Sequence, residues 1–319
     1  MQNSTASAAR VGERPEPRTG VLGAALFSAL LYALALKLFL LVPFQVVSPF
    51  PLLVVRLRAG LPAAASACAF AAALLGIIFS PAASLSYLLL VVPVLLISEA
   101  MARGRGILRG CGWAFGVLVV MTALMLVFAN PRMEETALAP LEYLRSPGFI
   151  AEMRATTPPD QIDAWVERVT ATHDAMQVVY PASFVIMAAL IVLANAAMLR
   201  GYLVRRDPGW LDGGEFERVR WPFALAVAFV LAGMAVVSPP LRVGAYNVLL
   251  VVAFFFALQG LAVVAFYAHR LAAPPLLRGA VLLLVVVNPW APQILALIGL
   301  FDIWFDFRKW AEPPDPRLA

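Results

Sequence analysis

Charge is what this sequence has least of. Only 13% of its 319 residues are Asp, Glu, Lys or Arg, against 62% hydrophobic residues and a mean hydropathy of +0.86. A soluble globular chain carries roughly a quarter charged residues. This chain therefore lacks the polar surface that a water-exposed globule needs, and lipid must solvate much of it. Histidine and cysteine are scarce too, with two of each. His173 and His269 lie in different connections, and no Cys/His cluster has the spacing of a metal site. Cys68 and Cys111 stand singly within apolar segments, where a thiol packs as a small hydrophobe rather than as half of a disulfide or redox pair. Lys37 and Lys309 follow no glycine-rich phosphate loop, and Gly104-x-Gly106-x-x-x-Gly110 follows no strand. No Gly-x-Ser-x-Gly motif is present. The expectation is a protein that is not an enzyme and uses no cofactor and no metal.

What is present is apolar sequence in long pieces. Uncharged or nearly uncharged stretches run at 19–36, 38–55, 61–79, 83–98, 110–130, 178–199, 221–241, 243–268 and 279–301. Most approach the ~20 residues that carry a helix across ~30 Å of hydrocarbon. None alternates with period two as a membrane barrel strand would, so helices are the way to satisfy the backbone in lipid. The predicted fold is an all-α polytopic transmembrane bundle of eight or nine segments. The first stretch follows Arg10, Arg14 and Arg18 but is too long for a signal peptide and lacks a small-x-small cleavage site after Phe44, so it reads as an uncleaved anchor.

Arginine sets the expected orientation. The connections 102–109, 200–220 and 269–278 and the N-terminal tail are basic, which places them on the cytoplasmic side. Segment 131–177 holds eight acidic residues against four arginines and is expected outside. Within it, Thr157-Pro158-Pro159-Asp160 reads as a helix start, and Ile162, Trp165, Val166, Val169 and Met176 follow at helical spacing. An amphipathic helix there would lie against the bundle or cap a cavity. Residues 1–18 and 312–319 read as loose tails flanking one transmembrane domain, 19–311. Pro43, Pro49 and Pro51 break the stretch 38–55, which Arg56 and Arg58 close, so it either crosses or re-enters. The net charge of +5 is accounted for by basic connections meeting anionic lipid, without nucleic acid.

Polar groups within apolar segments are the candidate site residues, because lipid tolerates them only for a reason. They are Arg56, Arg58, Glu99, Asn195, Asn247, Gln259 and Asn288, with Lys37 and Gln293 beside them. Arg56 and Arg58 could bind an anion or anchor a helix end. Glu99 stands one turn from Arg103 and could pair with it. Asn195 and Gln259 could be interhelical hydrogen-bond donors. Asn288-Pro289 breaks a helix at membrane depth. On the first helix, Ala25, Ala29 and Ala33 recur every four residues, a smooth ridge on which another helix could dock.

The densest signature is Gly299-Leu300-Phe301-Asp302-Ile303-Trp304-Phe305-Asp306-Phe307-Arg308-Lys309. Asp302 and Asp306 at i,i+4 would share a helix face, where like charges repel unless a cation joins them. Arg308 lies only two residues from Asp306, so Arg270, Arg278 or an arginine of 200–220 is the expected partner. That pairing requires 279–301 to break at Asn288-Pro289, or the crossing count upstream to differ by one, to bring the C-terminus back. This ending, together with Gln259-Gly260-Leu261-Ala262-Val263-Val264 and Pro51-Leu52-Leu53-Val54-Val55-Arg56-Leu57-Arg58-Ala59-Gly60, resembles the YybS-like bacterial membrane proteins over about residues 20–310. The alanine ridge is more distantly similar to that of substrate-binding subunits of energy-coupling-factor transporters, in which it docks onto the energising module.

Two functions follow as expectations. One is a transport subunit that binds a small solute and depends on a separate ATPase module, docked through the first helix. The other is a non-transporting scaffold of an envelope-biogenesis or regulatory complex. Either would sit in the bacterial cytoplasmic (inner) membrane, with the lipid bilayer and membrane proteins as partners.

Overall fold

The computed structural model describes residues 18–37, 42–211, 216–272, 274, 288 and 290–309. Among them there is no strand. The helices are α1 (Arg18–Lys37), α2 (Val42–Val47), α3 (Phe50–Ile78), α4 (Pro81–Ala102), α5 (Ile107–Leu144), α6 (Pro147–Arg154), α7 (Pro159–Arg206), α8 (Phe223–Ala235), α9 (Arg242–Arg270) and α10 (Ala291–Phe305). The tails read at 1–18 and 312–319 lie outside the described residues except for Arg18, as does most of 273–287.

Five stretches are long and apolar enough to cross a membrane: Pro43–Ile78, Pro81–Ala102, Ile107–Phe128, Pro159–Arg206 and Arg242–Arg270. Three shorter apolar helices are Gly20–Leu36, Phe223–Ala235 and Ala291–Phe305. The boundaries depart from the sequence reading where backbone chemistry intervenes. The stretches 38–55 and 61–79 are not separated by a loop. The chain turns at Ser48-Pro49, enters α3, and leaves helical geometry only at Gly60, whose φ of 88° and ψ of 175° suit glycine. Pro62 then lacks the N–H that a continuous ladder would need. Stretch 221–241 gives a helix of only 13 residues, about 20 Å long at 1.5 Å per residue, because Ser238-Pro239-Pro240 stops it.

Segment 131–177 departs furthest. It is helical almost throughout: α5 runs on to Leu144, α6 follows a Ser146 cap whose Oγ accepts from Phe149 N at 3.3 Å, and α7 starts at Pro159. The helix expected to start near Asp160 does so, but it is no separate surface element. It continues through Pro181 to Arg206, 48 residues in all, about 72 Å along its axis. That is more than twice the hydrocarbon thickness. Ile162, Val169 and His173 form its buried stripe, with Trp165, Val166 and Met176 half-buried beside them.

The chain divides into two compact units. Residues 1–123 and 187–213 form one, and 124–186 and 214–319 form the other. In the first, α3 packs against α1 and α4. Ala25, Ala29, Tyr32, Leu52, Ala71, Leu75, Tyr87 and Val91 make one core, and Leu53, Leu57, Val94, Ile97, Met101, Ala114, Val192, Leu199 and Leu203 another. In the second, α9 packs along α10 and α8 around Ala226, Val252 and Phe256.

The α9–α10 crossing is at backbone contact. A Cβ on Gly260 would collide with the Leu295 carbonyl oxygen, and one on Gly299 with the Phe256 carbonyl oxygen. Gln259 pairs with Asp302, and Tyr267 with Phe307, so the contacts advance together along both chains. The two helices therefore run parallel. The C-terminal end of α10 lies beside that of α9, the end that the basic connection marked as cytoplasmic. Asn288 initiates the turn before α10, its Oδ1 accepting from Trp290 N at 2.9 Å.

Candidate functional site

In the first unit the polar candidates gather where helices break. The α3 leg 50–59 ends before Gly60 with Arg56 buried, and a cation suits the end of a helix. Arg56 reaches α4: its Nε donates to Glu99 Oε2 at 2.7 Å and its Nη2 lies 2.6 Å from the same oxygen. The other Glu99 oxygen accepts from Arg103 Nε at 2.7 Å. The carboxylate thus joins two arginines, one local in sequence and one 43 residues away, and sequence spacing offered only the local one. Arg58 points elsewhere. Its guanidinium stands 5.2 Å from the centre of the Tyr202 ring and 3.7 Å from Asp207.

Asn195 of α7 is wholly buried. Its Nδ2 donates to the Val46 carbonyl oxygen at 2.7 Å and to the Ile191 carbonyl oxygen at 2.8 Å. It therefore holds the broken stretch 42–49 against α7, and its Oδ1 is buried without a hydrogen-bond partner among the described residues. A second buried network escaped the sequence reading. Ser28 Oγ donates to Ser48 O at 2.7 Å and lies 2.6 Å from Tyr87 Oη, and Tyr32 Oη donates to Ser86 Oγ at 2.7 Å. Serine and tyrosine are common enough in apolar helices that nothing in one segment marked these five as partners.

The alanine ridge turns inward, which corrects its reading as a docking face. Ala25 and Ala29 are 1% and 2% exposed in a core with Ala67, Cys68 and Ala71 of α3, and Ala33 packs against that core. Leu22, Leu26, Phe27 and Leu30 face outward instead. Small residues admit a close neighbour, and here the neighbour is a helix of the same chain. Lys37 has no described side chain.

In the second unit, Asn247 of α9 reaches α7 beside Pro181. Its Nδ2 donates to Val178 O at 2.7 Å, and its Oδ1 accepts from Ala182 N at 2.8 Å. Residues 178 and 182 are the i and i+4 groups that a straight helix would bond to each other, so the amide inserts into the ladder beside the proline.

The C-terminal signature forms a compact polar lock. Asp302 and Asp306 do not share a helix face: α10 ends at Phe305, and Asp306 turns into the left-handed region at φ 44°. The reversal separates the two carboxylates and gives each its own cation. Asp302 and Arg308 are 1% and 3% exposed, with Nη2 2.9 Å from Oδ2. Gln259 Nε2 donates to the same oxygen at 2.8 Å, and Phe307 N to the other at 3.1 Å. Arg308 also donates to the Glu217 and Val219 carbonyl oxygens at 3.0 Å, while Gln259 Oε1 accepts from Trp221 N at 2.9 Å. Asp306 takes Arg220 at two points and Lys309 at 3.2 Å. Arg220 comes from the expected connection.

Burial pushes the Asp306 carboxyl up, but hydrogen bonds from Lys309 and Arg220, with their charges, outweigh it and hold it below the usual carboxylate range. Burial lowers the Arg308 guanidinium, with Asp302 pulling against it. The guanidinium stays charged all the same.

Residues 21–303 match a family model described as a predicted membrane protein, DUF2232. No curated protein and no solved structure matches the chain.

Proposed function

The chain belongs to the DUF2232 family of predicted membrane proteins, and from that premise we propose that it is a solute-binding membrane subunit energised by a separate module. Within the family the proposal follows the likeness to YybS-like proteins and, more distantly, to the substrate-binding subunits of energy-coupling-factor transporters. The five long helices and the three shorter apolar ones are read together as crossings of a bacterial cytoplasmic membrane. The end of α7 carrying Arg205 and Arg206 faces the cytoplasm, and its acidic start at 159–177 faces outside. The protein itself performs no chemistry in this reading.

The observation that carries the reading is the break at 42–49 held by Asn195. Interrupted helices at membrane depth expose backbone groups, and transporters use such breaks to hold solutes. Asn195 offers a buried acceptor, Oδ1, beside the interrupted backbone, in the same unit as the Arg56–Glu99 pair. A solute with a hydrogen-bond donor fits that acceptor. The alanine ridge is taken up within the chain, so in this reading the energising module would engage another surface.

The test is a thermal-shift screen of small solutes on the purified protein in lipid nanodiscs. A solute that raises the melting temperature of the native protein, and does so no longer with Asn195→Leu, supports the reading. Solutes that stabilise both forms equally, or none that stabilises the native form, would count against it and leave the scaffold reading.

A further inference from the structure

Met101, Ile107, Leu57, Leu199 and Leu203 share one core, so the ends of α4 and α7, the start of α5 and the first leg of α3 converge. Arginines ring that core at positions 56, 58, 103, 105, 109, 200, 205 and 206, and the carboxylates among the described residues there are Glu99 and Asp207. Glu99 takes Arg56 and Arg103, and Asp207 lies 3.7 Å from Arg58. Arg105, Arg109, Arg200, Arg205 and Arg206 are exposed, and no carboxylate among the described residues pairs with them. The turn between α4 and α5 is tight, with Gly104 and Gly106 at φ 69° and 76°, and Arg105 stands 5.3 Å from the centre of the Trp113 ring.

The helix that leaves this turn is covered on one side only. Ile107, Gly110, Ala114 and Leu118 face inward, and a Cβ on Gly110 would come within 2.7 Å of the Ile97 backbone. On the opposite side Arg109, Gly112, Gly116 and Val120 follow at i, i+3 and i+4 spacing and are exposed. Gly112 and Gly116 have no atom within 4 Å of an added Cβ. Of the five stretches long and apolar enough to cross a membrane, Ile107–Phe128 is the least covered, with 11% of its apolar window buried. A shallow apolar track thus begins at a cluster of guanidinium groups that no carboxylate among the described residues pairs with.

We propose that this surface binds an anionic phospholipid, with the phosphate at Arg105 and Arg109 and an acyl chain along Gly112, Gly116 and Val120. The charge fits: arginine forks match phosphate oxygens in bidentate geometry, and basic sites at helix ends bind anionic headgroups. Trp113, against Arg105, suits a helix end where an indole meets the headgroup region. A second copy of the chain fits worse. A two-fold axis along the membrane normal, packing this face on itself, would set Arg109 beside Arg109, where like charges repel.

The test uses the full chain in detergent, with retained lipids counted by native mass spectrometry after equal loading of phosphatidylglycerol and phosphatidylcholine. Phosphatidylglycerol is retained preferentially by the native protein. Arg105→Gln with Arg109→Gln weakens that retention by about 25-fold, roughly fivefold for each arginine near the surface, while phosphatidylcholine retention and the lipid-free melting temperature stay unchanged. Arg105→Lys with Arg109→Lys keeps part of the preference, because the charge remains but the fork is lost. Equal retention of the two lipids, or a double glutamine variant that holds phosphatidylglycerol as well as the native chain, overturns the proposal. Two other outcomes overturn it as well: inorganic phosphate displacing the lipid at equal concentration, and a dimer mass that Gly112→Ile abolishes.

Discussion

Arg220 and Asp306, 86 residues apart, meet at two points: Nη1 lies 2.8 Å and Nη2 2.6 Å from the two carboxylate oxygens. The left-handed turn at Asp306 makes this possible, because it ends α10 and swings the carboxylate out toward the connection before α8. Four residues earlier, Asp302 stays inside the helix and pairs with Arg308 almost out of reach of solvent. Two similar side chains in one motif therefore have different energetic weight.

Asp302→Asn is expected to destabilise the protein strongly. It leaves the Arg308 guanidinium buried without its carboxylate, and breaking a buried pair this way costs ~3–5 kcal/mol. Asp306→Asn should cost ~0–1 kcal/mol, because Arg220 is 49% exposed and its pair is screened. Thermal unfolding in detergent, followed by tryptophan fluorescence, measures both. A larger drop for Asp306→Asn than for Asp302→Asn would contradict this ordering.

The Asp306 pairing also predicts a pH dependence. Its folded-state pKa lies below the unfolded one, so the unfolded chain binds the proton more readily. The stability it contributes is fully present above the ordinary aspartate pKa of about 3.9 and is lost as pH falls through the lower folded value. The melting-temperature gap between the native protein and Asp306→Asn should stay constant from about pH 8 to pH 5 and close below about pH 4. A gap that closes near neutral pH would assign the effect to another group.

Gly260→Ala and Gly299→Ala should each prevent normal accumulation of folded protein. The added methyl meets a backbone carbonyl of the facing helix, which cannot swing aside as a side chain can. The expected loss is at or above the ~1–3 kcal/mol typical of overpacking. Gly112→Ala, with open space around it, is the matched control and should accumulate normally. Size-exclusion profiles of the three variants expressed in parallel decide the matter.

Ala29→Leu should lower the melting temperature, by ~1–3 kcal/mol of overpacking in the α1–α3 core. Leu30→Ala, one residue along and 53% exposed, should leave it nearly unchanged. An Ala29→Leu protein of native stability that has lost a co-purifying partner would restore the docking reading of the ridge.

The amino-acid sequence by itself determined the solvent. Few charges and long apolar runs leave the backbone no stable option in lipid but helices, and α4, α5 and α9 start or end within a few residues of the runs that announced them. It also marked its own polar exceptions, the residues Arg56, Glu99, Asn195, Gln259, Asp302 and Asp306. Which groups those residues meet was decided only by tertiary structure. In water a helix shows its inner face through the contrast between apolar and polar residues, but in lipid both faces are apolar and that contrast vanishes. Nothing local could say that Ala25 and Ala29 turn toward α3 while Leu26 and Leu30 turn away. The long pairings were hidden for a related reason: Arg56 with Glu99 and Asn247 with the backbone beside Pro181 depend on which helices become neighbours. Among apolar helices, that choice falls to close contacts such as Gly260 against Gly299 and to the few polar groups that lipid cannot satisfy.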